Sequence, residues 1–121
     1  MILVDSSVWV SHLRVGLADL VERLTAGEVL GHPMVTGELA LGNLAQRALV
    51  LNSLRDLPQA SAATDEEVLT FIERHSLFGI GIGYVDAHLL ASARLSPDTR
   101  LWTLDRRLSE AEDRLGLALE A

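Results

Sequence analysis

The chain opens on an unbroken apolar run, Ile2-Leu3-Val4, that passes directly into Asp5-Ser6-Ser7 and then into a helical pattern from Val8. A short continuous apolar segment ended by a polar turn is the pattern of a parallel strand buried on both faces. Ser6 or Ser7 is placed to cap a short helix over residues 8–13. Leu17, Leu20, Val21 and Leu24 then hold the i, i+3, i+4, i+7 stripe of a helix over 17–26, ended by Gly27. Val29-Leu30 reads as a strand that Gly31-His32-Pro33 stops. Over 35–54 the pattern is helical again, with Leu41, Leu44, Ala45, Ala48 and Leu49 on one face and a bend or break at Gly42-Asn43.

Residues 57–60 fit a short strand, and Thr64-Asp65-Glu66-Glu67 is a capping box that opens a helix through Arg74. Gly79, Gly81 and Gly83 mark a loop, and the helix after it runs to Leu95, where Ser96-Pro97 closes it. Leu101-Trp102-Thr103-Leu104 is another apolar strand, followed by Asp105, a helix over 106–115 and a final strand at Leu117-Ala118-Leu119. Strands alternating with helices predict a three-layer α/β/α domain around a mainly parallel sheet. No linker, repeat or low-complexity segment divides residues 1–121, which read as a single domain.

Composition narrows the classes. At 121 residues and 49% hydrophobic content the chain can bury one core, which excludes disorder. The absence of cysteine excludes disulfides and thiolate metal sites and fits a reducing cytoplasm. No apolar run approaches the roughly 18 residues of a membrane span. The formal charge of −7 opposes general binding to nucleic acid, and all ten basic residues are arginine.

Four acids have surroundings that surface carboxylates usually lack. Asp5 and Asp105 stand at the carboxyl ends of strands, where open parallel sheets bind ligands. Glu38 extends the stripe of Leu41, Ala45 and Ala48 backwards, and Asp86 lies in the first turn of an apolar helix. Carboxylates brought together raise one another's pKa, and a hard divalent cation relieves that conflict. With no histidine or cysteine at ligand spacing, the donor set points to Mg²⁺ or Mn²⁺ rather than zinc. Each acid also has a structural reading. Asp5 and Asp105 suit helix N-caps, and Glu38 and Asp86 suit the positive end of a helix dipole. Taken jointly, two strand-end aspartates and an acid on an apolar face favour a site.

The blocks Leu3-Val4-Asp5-Ser6-Ser7-Val8-Trp9, Gly37-Glu38-Leu39-Ala40-Leu41-Gly42-Asn43-Leu44, Gly81-Ile82-Gly83-Tyr84-Val85-Asp86-Ala87-His88-Leu89-Leu90-Ala91 and Leu101-Trp102-Thr103-Leu104-Asp105-Arg106-Arg107-Leu108 resemble those of PIN-domain proteins, specifically the VapC-like toxins of type II toxin–antitoxin pairs. They fall in family order and span nearly the whole chain. The resemblance implies a sheet of about five parallel strands with helices on both faces. It also implies a Mg²⁺-dependent endoribonuclease in which Asp5, Glu38, Asp86 and Asp105 form the catalytic, metal-binding quartet. Asp5 and Asp86 would be the principal ligands, with Glu38 and Asp105 ligating directly, through water, or positioning the attacking water. Ser6, Ser7 and Thr103 match supporting hydroxyls. The implied chemistry is attack by a metal-activated water on an RNA phosphodiester, leaving a 5′-phosphate and a 3′-hydroxyl. The implied partners are the RNA, a VapB-like antitoxin that places a basic side chain in the acidic pocket, and a second copy in a homodimer.

Other residues weigh in less. Arg106 and Arg107 suit either phosphate contacts or an exposed helix face. Family members often carry a polar or basic residue in the glycine segment, where this chain has Ile80 and Ile82. Trp9 and Trp102 lie in apolar segments and read as core. His12, His32, His75 and His88 show no common ligand spacing. A phosphoacceptor receiver would need a lysine, which is absent, and a dinucleotide-binding module would need a glycine fingerprint where Asp5-Ser6-Ser7 stands. The competing function is a catalytically silent PIN-like module that binds protein or RNA.

Overall fold

The computed structural model describes residues 1–119. Strand β1 (Ile2–Val4) is central in a parallel sheet of order β2-β1-β3, with β2 at Val29–Leu30 and β3 at Arg100–Trp102. Leu3 pairs with Leu30 on one side and Leu101 on the other, and Val4 pairs with Trp102. Ile2, Leu3 and Val4 are all buried although successive residues face opposite sides of the sheet, so both faces are covered. Helices supply the cover, which is the expected three-layer α/β arrangement.

Two expected strands are much reduced. Residues 57–60 contribute one parallel bridge, Gly31 to Gln59, and the segment after the last helix contributes another, Leu101 to Ala118. Among the described residues the sheet therefore has three strands with a single bridge at each edge, in place of about five strands. Pro58 lies in the first of these segments and has no N–H to donate to a ladder.

Among the described residues seven helices surround the sheet: α1 (Ser6–Val15), α2 (Ala18–Thr25), α3 (Pro33–Ala40), α4 (Arg47–Asp56), α5 (Asp65–Arg74), α6 (Tyr84–Leu95) and α7 (Arg106–Leu115). The capping box at Thr64 forms in both directions: Thr64 Oγ1 accepts from the Glu67 N–H at 3.1 Å, and Glu67 Oε1 accepts from the Thr64 N–H at 2.9 Å. Other sequence expectations need correcting. Asp5, not Ser6 or Ser7, caps α1, which runs longer than residues 8–13. Val21 is exposed, so the buried face of α2 is narrower than its stripe. The stretch 35–54 breaks fully, with α3 ending at Ala40 and the Arg47 guanidinium donating to the carbonyls of Ala40 and Gly42. Leu41 is 91% exposed, so no apolar face runs from Glu38 through this segment.

A buried histidine ties α3 to α6. His32 precedes Pro33, and its Nδ1 accepts from the Met34 N–H at 3.0 Å. That bond leaves Nε2 carrying the proton, 2.8 Å from Ser92 Oγ. Burial, with a smaller contribution from His88, lowers the His32 pKa from 6.5 to about 4. The folded protein thus keeps this ring neutral while the unfolded chain protonates it below pH 6.5. The resulting stability is complete above pH 6.5 and is lost as pH falls towards 4. Across that window the unfolding free energy of wild type relative to His32→Asn is expected to decline on acidification, by up to about 3 kcal/mol. Urea unfolding of both proteins at a series of pH values measures this, and a pH-independent difference would contradict it.

Candidate active site

The strand order reverses at β1: the chain leaves it for β2 on one side and returns for β3 on the other. In open parallel sheets this reversal leaves a crevice beyond the carboxyl ends of the strands. Asp5 follows β1, and Thr103 and Asp105 follow β3. The two ends are stitched together. The Asp5 N–H donates to the Trp102 carbonyl at 2.9 Å, continuing the ladder one step past the end of β1.

Asp5 is 4% exposed, and its Oδ2 accepts from Ser7 Oγ at 2.6 Å and Thr103 Oγ1 at 2.8 Å. The same hydroxyls orient the next segment, since Ser7 Oγ accepts from the Leu104 N–H and Thr103 Oγ1 from the Asp105 N–H, both at 3.0 Å. The expected supporting roles of Ser7 and Thr103 thus have a geometric basis. Ser6 Oγ donates to Glu38 Oε1 at 2.9 Å, which joins α1 to α3 at the rim. Asp105 caps α7 by accepting from the Leu108 N–H at 3.0 Å. Asp86 accepts from the Gly83 N–H at 2.9 Å in the first turn of α6.

The capping reading is therefore correct for Asp5 and Asp105. Glu38 is exposed near the end of α3, neither on an apolar stripe nor at a helix N-terminus. Its place in the cluster comes from Ser6 and the packing of α1 on α3. Burial raises the Asp86 pKa; the Gly83 N–H opposes this, while the charges of Asp5, Asp105 and Glu38 push the pKa further up. All three of the other acids act on Asp86, so the fold brings them within electrostatic reach of it. Among the described residues, no three histidine or acidic side chains stand close enough together to hold a metal ion as they are placed.

A fifth carboxylate joins them. Glu112 lies on α7 among buried residues, is 3% exposed, and its Oε1 has no hydrogen-bond partner. Burial, with Asp5 and Asp113 nearby, pushes its pKa up to about 8. The sequence carried a signal for it: Leu108, Ala111, Glu112 and Leu115 form an i, i+3, i+4, i+7 stripe with an acid inside.

The histidines are structural. His12 Nδ1 accepts from the Leu17 N–H at 3.0 Å, and His88 Nε2 meets Asp65 Oδ1 at 3.1 Å, an oxygen also bonded by the Tyr84 hydroxyl. His75 packs against Phe71. Trp9 is buried, and Trp102 is half-buried with the Arg23 guanidinium 5.9 Å from its ring centre. Ile80 and Ile82 pack on the core and anchor the glycine loop.

No family model matches the chain. Two curated proteins do: the ribonucleases VapC32 of two strains of Mycobacterium tuberculosis, each 50% identical over 119 residues, covering 98% of this chain and 96% of the relative.

Glu112 stays protonated in the folded metal-free protein over a range where the unfolded chain ionises. Stability is therefore lost as pH rises from 4.5 towards 8. Glu112→Gln is expected to stabilise the metal-free protein at the upper end of that range by on the order of 3 kcal/mol, with little effect at the lower end. Thermal unfolding in EDTA at both ends tests this, and a variant less stable than wild type at the alkaline end would contradict it.

Proposed function

The chain belongs to the VapC family of PIN-domain ribonucleases, and from that premise we propose that it is the endoribonuclease toxin of a type II toxin–antitoxin pair, dependent on Mg²⁺ or Mn²⁺. The observation that carries the reading is the convergence of Asp5, Glu38, Asp86 and Asp105 at the strand ends, where each of the other three raises the Asp86 pKa. Identity to the VapC32 ribonucleases across nearly the whole chain supports it.

An all-oxygen donor set of clustered, partly charged carboxylates fits a hard divalent cation. Mg²⁺ keeps several waters and shares its shell with phosphate, so few protein ligands suffice to hold it. In this reading Asp5 and Asp86 would hold the cation, and Glu38 and Asp105 would ligate it directly, through water, or orient the attacking water. When bound, the ion would acidify that water and offset charge building on the phosphodiester.

The remaining steps belong to the side chains. Ser7 and Thr103 fix one oxygen of Asp5 and leave Oδ1 without a hydrogen bond among the described residues. Ser6 restrains the Glu38 carboxylate, and the Gly83 N–H restrains that of Asp86. Held on helix and strand ends, these groups would present acceptors to an attacking water. In-line attack would transfer the water oxygen to phosphorus, expel the ribose 3′ oxygen, and leave a 5′-phosphate and a 3′-hydroxyl.

The acidic pocket and the net charge of −7 favour a basic partner, in this reading a VapB-like antitoxin. Among the described residues no helix is long and apolar enough to cross a membrane.

Cleavage of total cellular RNA by the purified chain tests the reading. Discrete fragments are expected with Mg²⁺ or Mn²⁺ and none with EDTA. Asp5→Asn and Asp86→Asn are each expected to slow cleavage by about 10²–10³-fold while remaining folded. Full activity in both variants, or fragments unchanged by EDTA, would contradict the assignment.

A further inference from the structure

The glycine loop before α6 holds a feature that the acids do not require. Gly81 has φ +86°, and the Arg107 side chain lies directly on it. A Cβ at this position would stand 2.6 Å from Arg107 Nη1 and 2.8 Å from its Cδ. The left-handed backbone calls for glycine, and a side chain here would also push the movable end of Arg107 off its seat. Ile80 and Ile82, packed on the core, hold the loop in place beneath it.

The guanidinium is also uncommitted. Arg23 pairs with Asp19 and Glu28, and Arg47, Arg94, Arg100 and Arg114 donate to backbone carbonyls; Arg14, Arg55 and Arg74 are also unpaired among the described residues, but none of them lines the cleft that holds Asp105. Arg106, although adjacent in sequence, is 91% exposed and reaches back to Glu110 at 3.3 Å. Arg107 makes no hydrogen bond or ion pair among the described residues. It lines an open cleft of about 500 Å³ together with Ile80, Gly81, Asp105, Arg106 and Glu110. An unpaired cation, backed by a rigid loop, thus shares a cleft with one of the four clustered acids.

We infer that Arg107, seated on Gly81, is a phosphate-binding residue that docks the RNA backbone beside the acidic cluster. The inference rests on the ribonuclease reading for its substrate. A planar fork of donors matches the oxygens of a phosphodiester, and a chain with net charge −7 needs a local cation to bring a polyanion near its carboxylates. Arg106, matched by Glu110, contributes little. Arg107 contacts backbone and carries no base preference, so it sets affinity and salt dependence rather than sequence choice.

The test measures binding apart from cleavage. In the cleavage-deficient Asp86→Asn protein, fluorescence anisotropy follows a fluorescein-labelled single-stranded RNA of mixed sequence through a salt series. Adding Arg107→Ala is expected to weaken binding about tenfold and to make the slope of log K against log salt shallower by about 0.7, the value of one phosphate contact on a single strand. Arg107→Lys recovers part of the loss, Gly81→Ala reproduces part of it, and Arg106→Ala changes affinity less than about twofold. Equal effects of Arg106→Ala and Arg107→Ala, an unchanged slope, or no RNA binding by the parent would overturn the inference. Cleavage by the wild-type chain is scored separately: a protein that binds RNA through Arg107 but cuts nothing overturns the ribonuclease reading alone.

Discussion

The structure depends on how Asp5 is held. One carboxylate oxygen receives the hydroxyls of Ser7 and Thr103, from the segments leaving β1 and β3, while the Asp5 N–H reaches the Trp102 carbonyl. These bonds fix the two strand ends at the crevice of a parallel sheet and set the start of α1. Charge-assisted bonds of this kind are stronger than neutral ones. They also compensate for burying a carboxylate at 4% exposure. Once Asp5 is fixed, the neighbouring acids follow from the packing of α3 and α6 and from the turn into α7.

That arrangement carries an electrostatic cost. Asp86 is half-buried and feels three like charges, and Glu112 is buried with an unpartnered oxygen. A stable fold tolerates such groups only when other contacts outweigh them. Here the sheet strand Ile2–Val4 is wholly buried, and His32 and Ser92 lock α3 onto α6 from beneath the site. Strain of this sort is characteristic of functional sites, where a ligand completes the charge balance. The acid cluster and the rigid frame under it are two halves of one device.

Much of this was legible locally. β1 showed as a continuous apolar run, Thr64 and Glu67 as a capping box, and Asp5, Asp86 and Asp105 stood at element boundaries that sequence pattern marks well. Glu38 stood out for a wrong reason: the apolar stripe expected to continue it dissolves where Arg47 caps the end of α3, and it is Ser6, 32 residues away in sequence, that holds its carboxylate. Glu112 satisfied the very criterion misapplied to Glu38, an acid within an apolar stripe. The link from His32 to Ser92 spans 60 residues and leaves no local trace. Residues 57–60 and 117–119 show that a short apolar run alone does not make a strand; it must also find a partner along its length.

The central claim is that the fold concentrates negative charge which a hard cation relieves. Thermal unfolding of the metal-free protein across a titration with Mn²⁺ or Mg²⁺ tests it most directly, with Asp5→Asn and Asp86→Asn alongside. The expected result is a midpoint that climbs with cation concentration in the wild type, as binding to the folded state requires, and climbs much less in either variant. A wild-type midpoint indifferent to both cations, or a rise equally large in the two variants, would contradict the claim.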